Sequence, residues 1–125
     1  MPAPLHVLIV DDSAVMRRMV ARVLRLSRVP LGSVREAADG AEALRAIAER
    51  RVDLVLLDVN MPETAPERVI AFVRDTAGGA RIVLYSAWED SKLRKLAASI
   101  GADAYMTKSE SVFAIGGKLR DIARG

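Results

Sequence analysis

Four consecutive apolar residues, Leu54 to Leu57, run straight into a carboxylate, Asp58, and Asn60, Met61 and Pro62 follow at once. An unbroken apolar run of this length offers no face to water. It suits a strand covered on both sides, as in a parallel sheet with helices above and below. Pro62 has no N–H to give to a ladder and biases Met61 away from helical torsion angles, so the strand is expected to end near Asp58. The run therefore delivers one acid to the carboxyl end of a central strand. In open α/β sheets that edge is where ligands bind. A carboxylate there can equally cap the next turn, and this stretch alone leaves both roles open.

The rest of the chain alternates around this stretch. His6 to Val10 reads as a strand and ends in Asp11-Asp12-Ser13. The apolar period then changes: Val15, Met19 and Val23 form one helical stripe, and Met16, Val20 and Leu24 a second beside it. Ser13 or Asp12 can cap this helix, and Arg18, Arg22 and Arg25 fall on its wet side. Ser33 to Ala38 is a short, polar strand of edge character. Asp39 can cap a helix from Ala41 to Arg50, with Ala43, Leu44, Ile47 and Ala48 as its apolar face. After the central strand, Thr64 and Pro66 open a helix with Val69, Ile70 and Val73 inward, Pro66 lying in the first turn, where its missing N–H is harmless.

Arg81 to Tyr85 is the next strand, ending at Ser86. A helix from Asp90 to Ile100 stops at Gly101, a good residue for a left-handed helix end. Ala104 to Met106 is the last strand, ending near Lys108. The last helix starts at about Ser111 and shows Val112, Ile115, Leu119 and Ile122 at helical spacing. Strand and helix thus alternate five times, which predicts parallel strands joined by right-handed crossovers with helices on both faces.

A length of 125 residues suits one domain spanning 1–125 with a real core. No apolar run approaches the ~18 residues of a membrane span, and the first residues do not resemble a signal peptide, so a cytoplasmic protein without membrane contact is expected. The absence of cysteine removes disulfides and thiolate chemistry. The one histidine, His6, rules out a His-rich metal site and is expected at the start of the first strand without a special role. The net charge is +3, but the arginines are scattered and only Lys92, Arg94 and Lys95 cluster. That pattern describes solvated helix faces better than a nucleic-acid surface. The methionines of the first helix read as packing or local surface.

Chemistry gathers at the carboxyl ends of the strands. The first carries Asp11 and Asp12, the third Asp58, the fourth Ser86, and the fifth Lys108. With strands in the order 2-1-3-4-5, these residues converge. Three neighbouring carboxylates repel one another and raise each other's pKa. A hard divalent cation relieves that conflict, and Mg²⁺ is typically held by one or two carboxylates plus substrate phosphate. An acidic pocket facing a lysine therefore suits a phosphoryl group, which a carboxylate can attack to form an aspartyl phosphate. Positioning and charge neutralisation supply most of the catalysis in such transfers.

In these residues the chain resembles the response-regulator receiver domains, the phosphoacceptor modules of two-component signalling. Asp11-Asp12 resembles the family's acidic pair, Asp58 followed by Met61-Pro62 its phosphorylated aspartate, and Ser86-Ala87 its hydroxyl and small residue. Tyr105 and Lys108 resemble its switch aromatic and its lysine. The resemblance implies a flavodoxin-like (βα)5 fold with a five-stranded parallel sheet. It implies Mg²⁺ held directly by Asp12 and Asp58, with help from Asp11 through water and from the carbonyl of Asn60. It also implies that Asp58 takes a phosphoryl group from a histidine kinase or phosphotransfer protein. Lys108 and Ser86 would then bind phosphoryl oxygens while Tyr105 moves inward.

A downstream protein partner, or a second copy in a homodimer, would read the face from Asp90 to Arg124. Such a chain is not a turnover enzyme but a switch that assists its own phosphorylation and dephosphorylation. The competing readings are a receiver-like interaction module that is never phosphorylated, and a haloacid-dehalogenase-type phosphatase. The phosphatase would need Asp-x-Asp after the first strand, where this chain has Asp11-Asp12-Ser13.

Four places depart from the family. Ser109 stands where proline is usual after Lys108, which predicts a different loop shape. Glu63-Thr64-Ala65-Pro66 replaces the usual glycine-containing loop beside Asp58. Trp88 is a bulky neighbour of the pocket, read either as a shield for the phosphoryl group or as a partly exposed loop aromatic. Gly116-Gly117 costs about 1 kcal/mol per glycine in a helix and predicts a late, kinked or frayed last helix.

Overall fold

The computed structural model describes residues 4–61, 64–108 and 112–124. Strand and helix alternate from β1 (Leu5–Val10) and α1 (Ala14–Leu26) through β2 (Leu31–Ala37), α2 (Gly40–Glu49), β3 (Leu54–Asp58), α3 (Pro66–Thr76), β4 (Arg81–Ser86), α4 (Asp90–Ile100) and β5 (Ala104–Thr107) to α5 (Val112–Arg124). The strands form one parallel sheet in the order β2-β1-β3-β4-β5. The fold is the flavodoxin-like one expected, with β2 at an edge.

Successive side chains on a strand point to opposite faces, and the three central strands are apolar on both. Val7, Ile9, Leu54, Leu56, Val83 and Tyr85 pack with Val20 and Leu24 of α1 and Leu119 of α5. Leu8, Val10, Val55, Leu57, Ile82 and Leu84 pack with Ile47, Val69, Val73 and Leu93 of α2, α3 and α4. This double cover explains why Leu54 to Leu57 has no polar position: every residue of β3 is buried.

Local signals set the helix ends. Ser13, not Asp12, caps α1, its Oγ accepting from the Met16 N–H at 3.2 Å. Asp39 caps α2 through the Glu42 N–H at 2.8 Å. Pro66 occupies the first turn of α3, whereas Thr64 accepts the Gly40 N–H at 3.2 Å and ties the loop to α2. Gly101 ends α4 with φ 76°, the left-handed conformation anticipated there. His6 lies in β1, with Nδ1 2.9 Å from Ser33 Oγ. No helix among the described residues is long and apolar enough to cross a membrane.

Three details differ from expectation. β2 begins at Leu31 rather than Ser33, because Leu31 pairs with Leu5. In α1 the Met16–Val20–Leu24 stripe turns to the sheet, but Val15 and Met19 stand exposed and only Val23 of their stripe is buried; one sheet face cannot cover both stripes along their length. Finally, α5 runs from Val112 to Arg124 through both glycines. Gly116 is buried against α1, where an added Cβ would lie 2.7 Å from Val23 Cγ1. There the missing side chain permits close helix approach. At Gly117 the nearest atom to an added Cβ is Arg120 Nη2 at 4.0 Å. Glu63 and Ser109 lie outside the described residues, as do the side chains of Val112 and Ile115.

The two glycines should therefore respond oppositely to alanine. Gly117→Ala is expected to stabilise by about 1 kcal/mol through helix propensity. Gly116→Ala should be net destabilising, because overpacking against Val23 costs about 1–3 kcal/mol. Urea midpoints would check this, and equal stabilisation by both changes would contradict the close packing of α5 on α1.

Candidate functional site

Strand register builds the site. Asp58, the last residue of β3, is paired with Tyr85 of β4, and Tyr85 with Met106 of β5. In strand parity Asp58 follows Leu54 and Leu56, Asp11 follows Val7 and Ile9, and Lys108 follows Met106. All three side chains, with Tyr85, thus belong to the α1/α5 side of the sheet edge. Ser86 and Tyr105 have the opposite parity and belong to the α4 side.

On the first side the groups touch. Lys108 Nζ lies 3.1 Å from Asp11 Oδ2 and 3.2 Å from Asp58 Oδ2, bridging the two acids. Asp58 Oδ1 accepts the Asn60 N–H at 3.0 Å. Asp11 Oδ1 accepts the Ser13 N–H at 2.9 Å, and its Oδ2 accepts the Tyr85 hydroxyl at 2.5 Å. Asp11 and Asp58 are buried, whereas Asp12 is exposed. Asp11 thus braces the turn into α1 and shares the lysine.

The electrostatics separate the two buried acids. Burial pushes the Asp58 carboxyl up, and the Asn60 N–H and Lys108 do not fully compensate, so its pKa stands above the ordinary value. Burial pushes Asp11 up too, but there the Tyr85 hydroxyl, the Ser13 N–H and Lys108 together outweigh it and hold the carboxyl below that value. The Tyr85 phenol is driven well up, first by burial and then by its hydrogen bond to Asp11.

On the α4 side, Ser86 is buried and its Oγ accepts the Trp88 N–H at 3.1 Å. Half-buried Trp88 packs beside the α2/α3/α4 core, and Lys92 Nζ sits 4.0 Å from its ring centroid. The Tyr105 hydroxyl donates to Asp90 Oδ2 at 3.2 Å, at the start of α4. The Lys108 N–H donates to the Ser86 carbonyl at 2.6 Å and ties the two sides together.

Two contributors escape a reading by residue type. Tyr85 looks like the end of an ordinary apolar strand, and only its register opposite Asp58 reveals it. Arg17 is one of several arginines on α1, yet it donates from Nη1 to the Asp11 carbonyl at 2.6 Å and from Nε to Glu36 at 3.1 Å. Its helical phase, rather than its type, sets it over the strand end.

Comparison with known proteins decides the family. Residues 7–118 match the model of the response regulator receiver domain. The chain belongs to that family. It is 32% identical over 97% of its length to the response regulator MprA of a Mycobacterium species, covering 51% of that protein. It is 35% identical over 94% of its length to protein-glutamate methylesterase/protein-glutamine glutaminase 5 of Myxococcus xanthus, covering 35% of it. The solved receiver domain of NarL from Mycobacterium tuberculosis superposes with a TM-score of 0.84 at 32% identity, over 99% of both chains. The chain thus spans about half, or less, of the length of these curated relatives.

Receiver domains bind Mg²⁺ in an acidic pocket, and the residues here fit such an ion. One carboxylate oxygen from each of Asp11, Asp12 and Asp58 lies within 4.8 Å of the others. An all-oxygen, acidic donor set suits a hard cation.

The raised pKa of Asp58 has a sign that can be tested. Its folded value exceeds the unfolded one, so above it the ionised carboxylate counts against the folded state; the penalty fades as pH falls through that value. In chelator at neutral pH, Asp58→Asn is therefore expected to raise the melting temperature. The gain over wild type should shrink on acidification, which thermal melts across a pH series would show.

Proposed function

We propose that the chain is a phosphorylation-dependent switch in which Asp58 accepts a phosphoryl group from the phosphohistidine of a histidine kinase or phosphotransfer protein. The observation that carries this reading is the lysine bridge: one ammonium spans two buried carboxylates at the ligand-binding edge of the sheet, beside a third, exposed acid. In the transfer, an Asp58 oxygen forms a bond to phosphorus as the phosphorus–nitrogen bond breaks, and the imidazole leaves with that electron pair. Asp11, Asp12, Asp58 and the Asn60 carbonyl would hold Mg²⁺, which when bound neutralises charge on the phosphoryl oxygens. The Asn60 N–H holds one Asp58 oxygen in place. Lys108 leaves the carboxylates for a phosphoryl oxygen.

The signal then moves to the other side of the edge. Ser86 exchanges its bond from the Trp88 N–H for one to a phosphoryl oxygen, and Tyr105 gives up Asp90 and turns inward. Both contacts given up belong to the start of α4 or the loop before it, so a local change of charge alters the surface from Asp90 to Arg124. A downstream protein, or a second copy, reads that surface. A kinase donor of this kind places the domain in the cytoplasm. The named relatives extend well beyond the matched part, so their effector activities are not carried over.

The test is a covalent adduct. With Mg²⁺ and acetyl phosphate, intact mass should show one added phosphoryl group on the wild type, and none on Asp58→Asn or in excess chelator. Trp88 fluorescence should change in step. Lys108→Ala should slow adduct formation about a hundredfold, the scale for removing one preorganised charge-stabilising donor. Folded wild-type protein that forms no adduct would overturn the proposal and favour an interaction module that works without phosphorylation.

A further inference from the structure

The Tyr85 side chain has no place in the transfer as described, yet it touches two of its parts. Its hydroxyl donates to Asp11 Oδ2 at 2.5 Å, and Lys108 Nζ sits 4.8 Å from its ring centroid. Asp11 Oδ2 therefore has two donors, the phenol and the ammonium, while Oδ1 is taken by the Ser13 N–H. Asp11 has 0% exposure, so bulk water is not at hand to replace a lost donor.

We propose that Tyr85 is a positioning residue: its phenol holds the Asp11 carboxylate when Lys108 departs for the phosphoryl group, and so makes that departure cheap. The inference rests on the reading of Asp58 as phosphoacceptor and adds a residue to it. With Lys108 as the sole donor to Oδ2, its departure would strip a buried, charged oxygen. Such an oxygen costs more than an ordinary hydrogen bond returns. Tyr85 cannot follow the lysine. It is fully buried among Ile9, Val20, Leu24, Leu56 and Met106 on the α1/α5 side, and β4 is paired on both edges. Lys108 has the opposite character, a flexible stem at the end of an edge strand with its side chain 21% exposed. The site thus pairs one fixed donor with one that can move.

A phenol that merely satisfied itself in the core would affect stability alone. The positioning role predicts a split between two affinities. With Mg²⁺ alone, Lys108 still serves Asp11, and Tyr85→Phe should change the Mg²⁺ dissociation constant by no more than about twofold. Beryllofluoride, a phosphoryl mimic, draws Lys108 away, and at saturating Mg²⁺ its affinity should fall about tenfold in Tyr85→Phe, the scale of one hydrogen bond to a charged group. Trp88 fluorescence reads both titrations, and thermal melts accompany them. Equal beryllofluoride affinity in the two proteins, or parallel losses for both ligands, would overturn the role of Tyr85 while leaving Asp58 as acceptor. Failure of the wild type to bind beryllofluoride would instead overturn the reading of the site itself.

A second measurement uses the wild-type side chain. With 3-fluorotyrosine in the chain and Tyr105→Phe to assign the signals, the ¹⁹F resonance of Tyr85 should move on adding beryllofluoride, as the ammonium leaves its ring. An unmoved resonance would count against the proposal.

Discussion

Two buried carboxylates at one sheet edge are an electrostatic conflict, and the Lys108 ammonium eases it. Asp11 and Asp58 end adjacent parallel strands, so the topology leaves them no way apart. Removing a charge from water costs several kcal/mol even after relaxation, and a like charge alongside adds to that. Lys108 reaches Asp58 from two strands away and Asp11 from three, because β5 lies beyond β4 in the sheet order. The arrangement need not contribute to stability. Its consequence is that the lysine occupies a position where other positive charge, or a group that competes for the lysine, has a strong effect.

The sheet also sorts the edge into two halves. Strand parity assigns the acids, Tyr85 and Lys108 to the α1/α5 side, and Ser86 and Tyr105 to the α4 side. The first half holds charge; the second holds hydroxyls and aromatic rings bound to the start of α4. They meet through backbone, where the Lys108 N–H donates to the Ser86 carbonyl. In the proposed switch, charge moved on one half acts on a surface controlled by the other, without any long-range rearrangement of the core. Dense core packing favours such a scheme, because interiors resist continuous deformation while rim side chains can choose between discrete partners.

The fold was legible because its strands are short apolar runs and its helices change the period to 3.6 residues. The acids were legible because a carboxylate at the end of an apolar run is a strong local signal. Tyr85 was not, since a tyrosine closing Ile82-Val83-Leu84 is an ordinary strand residue until register sets it opposite Asp58. Arg17 shares its type with Arg18, Arg22 and Arg25, which are exposed as anticipated; only the three-dimensional position of the strand end separates them. Gly116-Gly117 reads as a helix breaker by propensity, but tertiary contact with Val23 reverses its meaning: the helix continues because a side chain is missing there. The exposed Val15 and Met19 show the converse, apolar residues at helical spacing for which the sheet has no room.

The proposed division between fixed and moving groups would let one small domain occur in proteins as different as a response regulator and a methylesterase. Nothing in the charge chemistry at Asp11, Asp58 and Lys108 refers to an output. In the proposed switch, Ser86 and Tyr105 move, and the contacts they give up lie at the start of α4 or just before it. An effector need only recognise that surface. On that reading, any change that preserves the lysine bridge and the two hydroxyl contacts would alter the partner without altering the switch. By the role proposed for it, a change at Tyr85 would do the reverse, leaving the surface intact while resetting how readily Lys108 leaves Asp11.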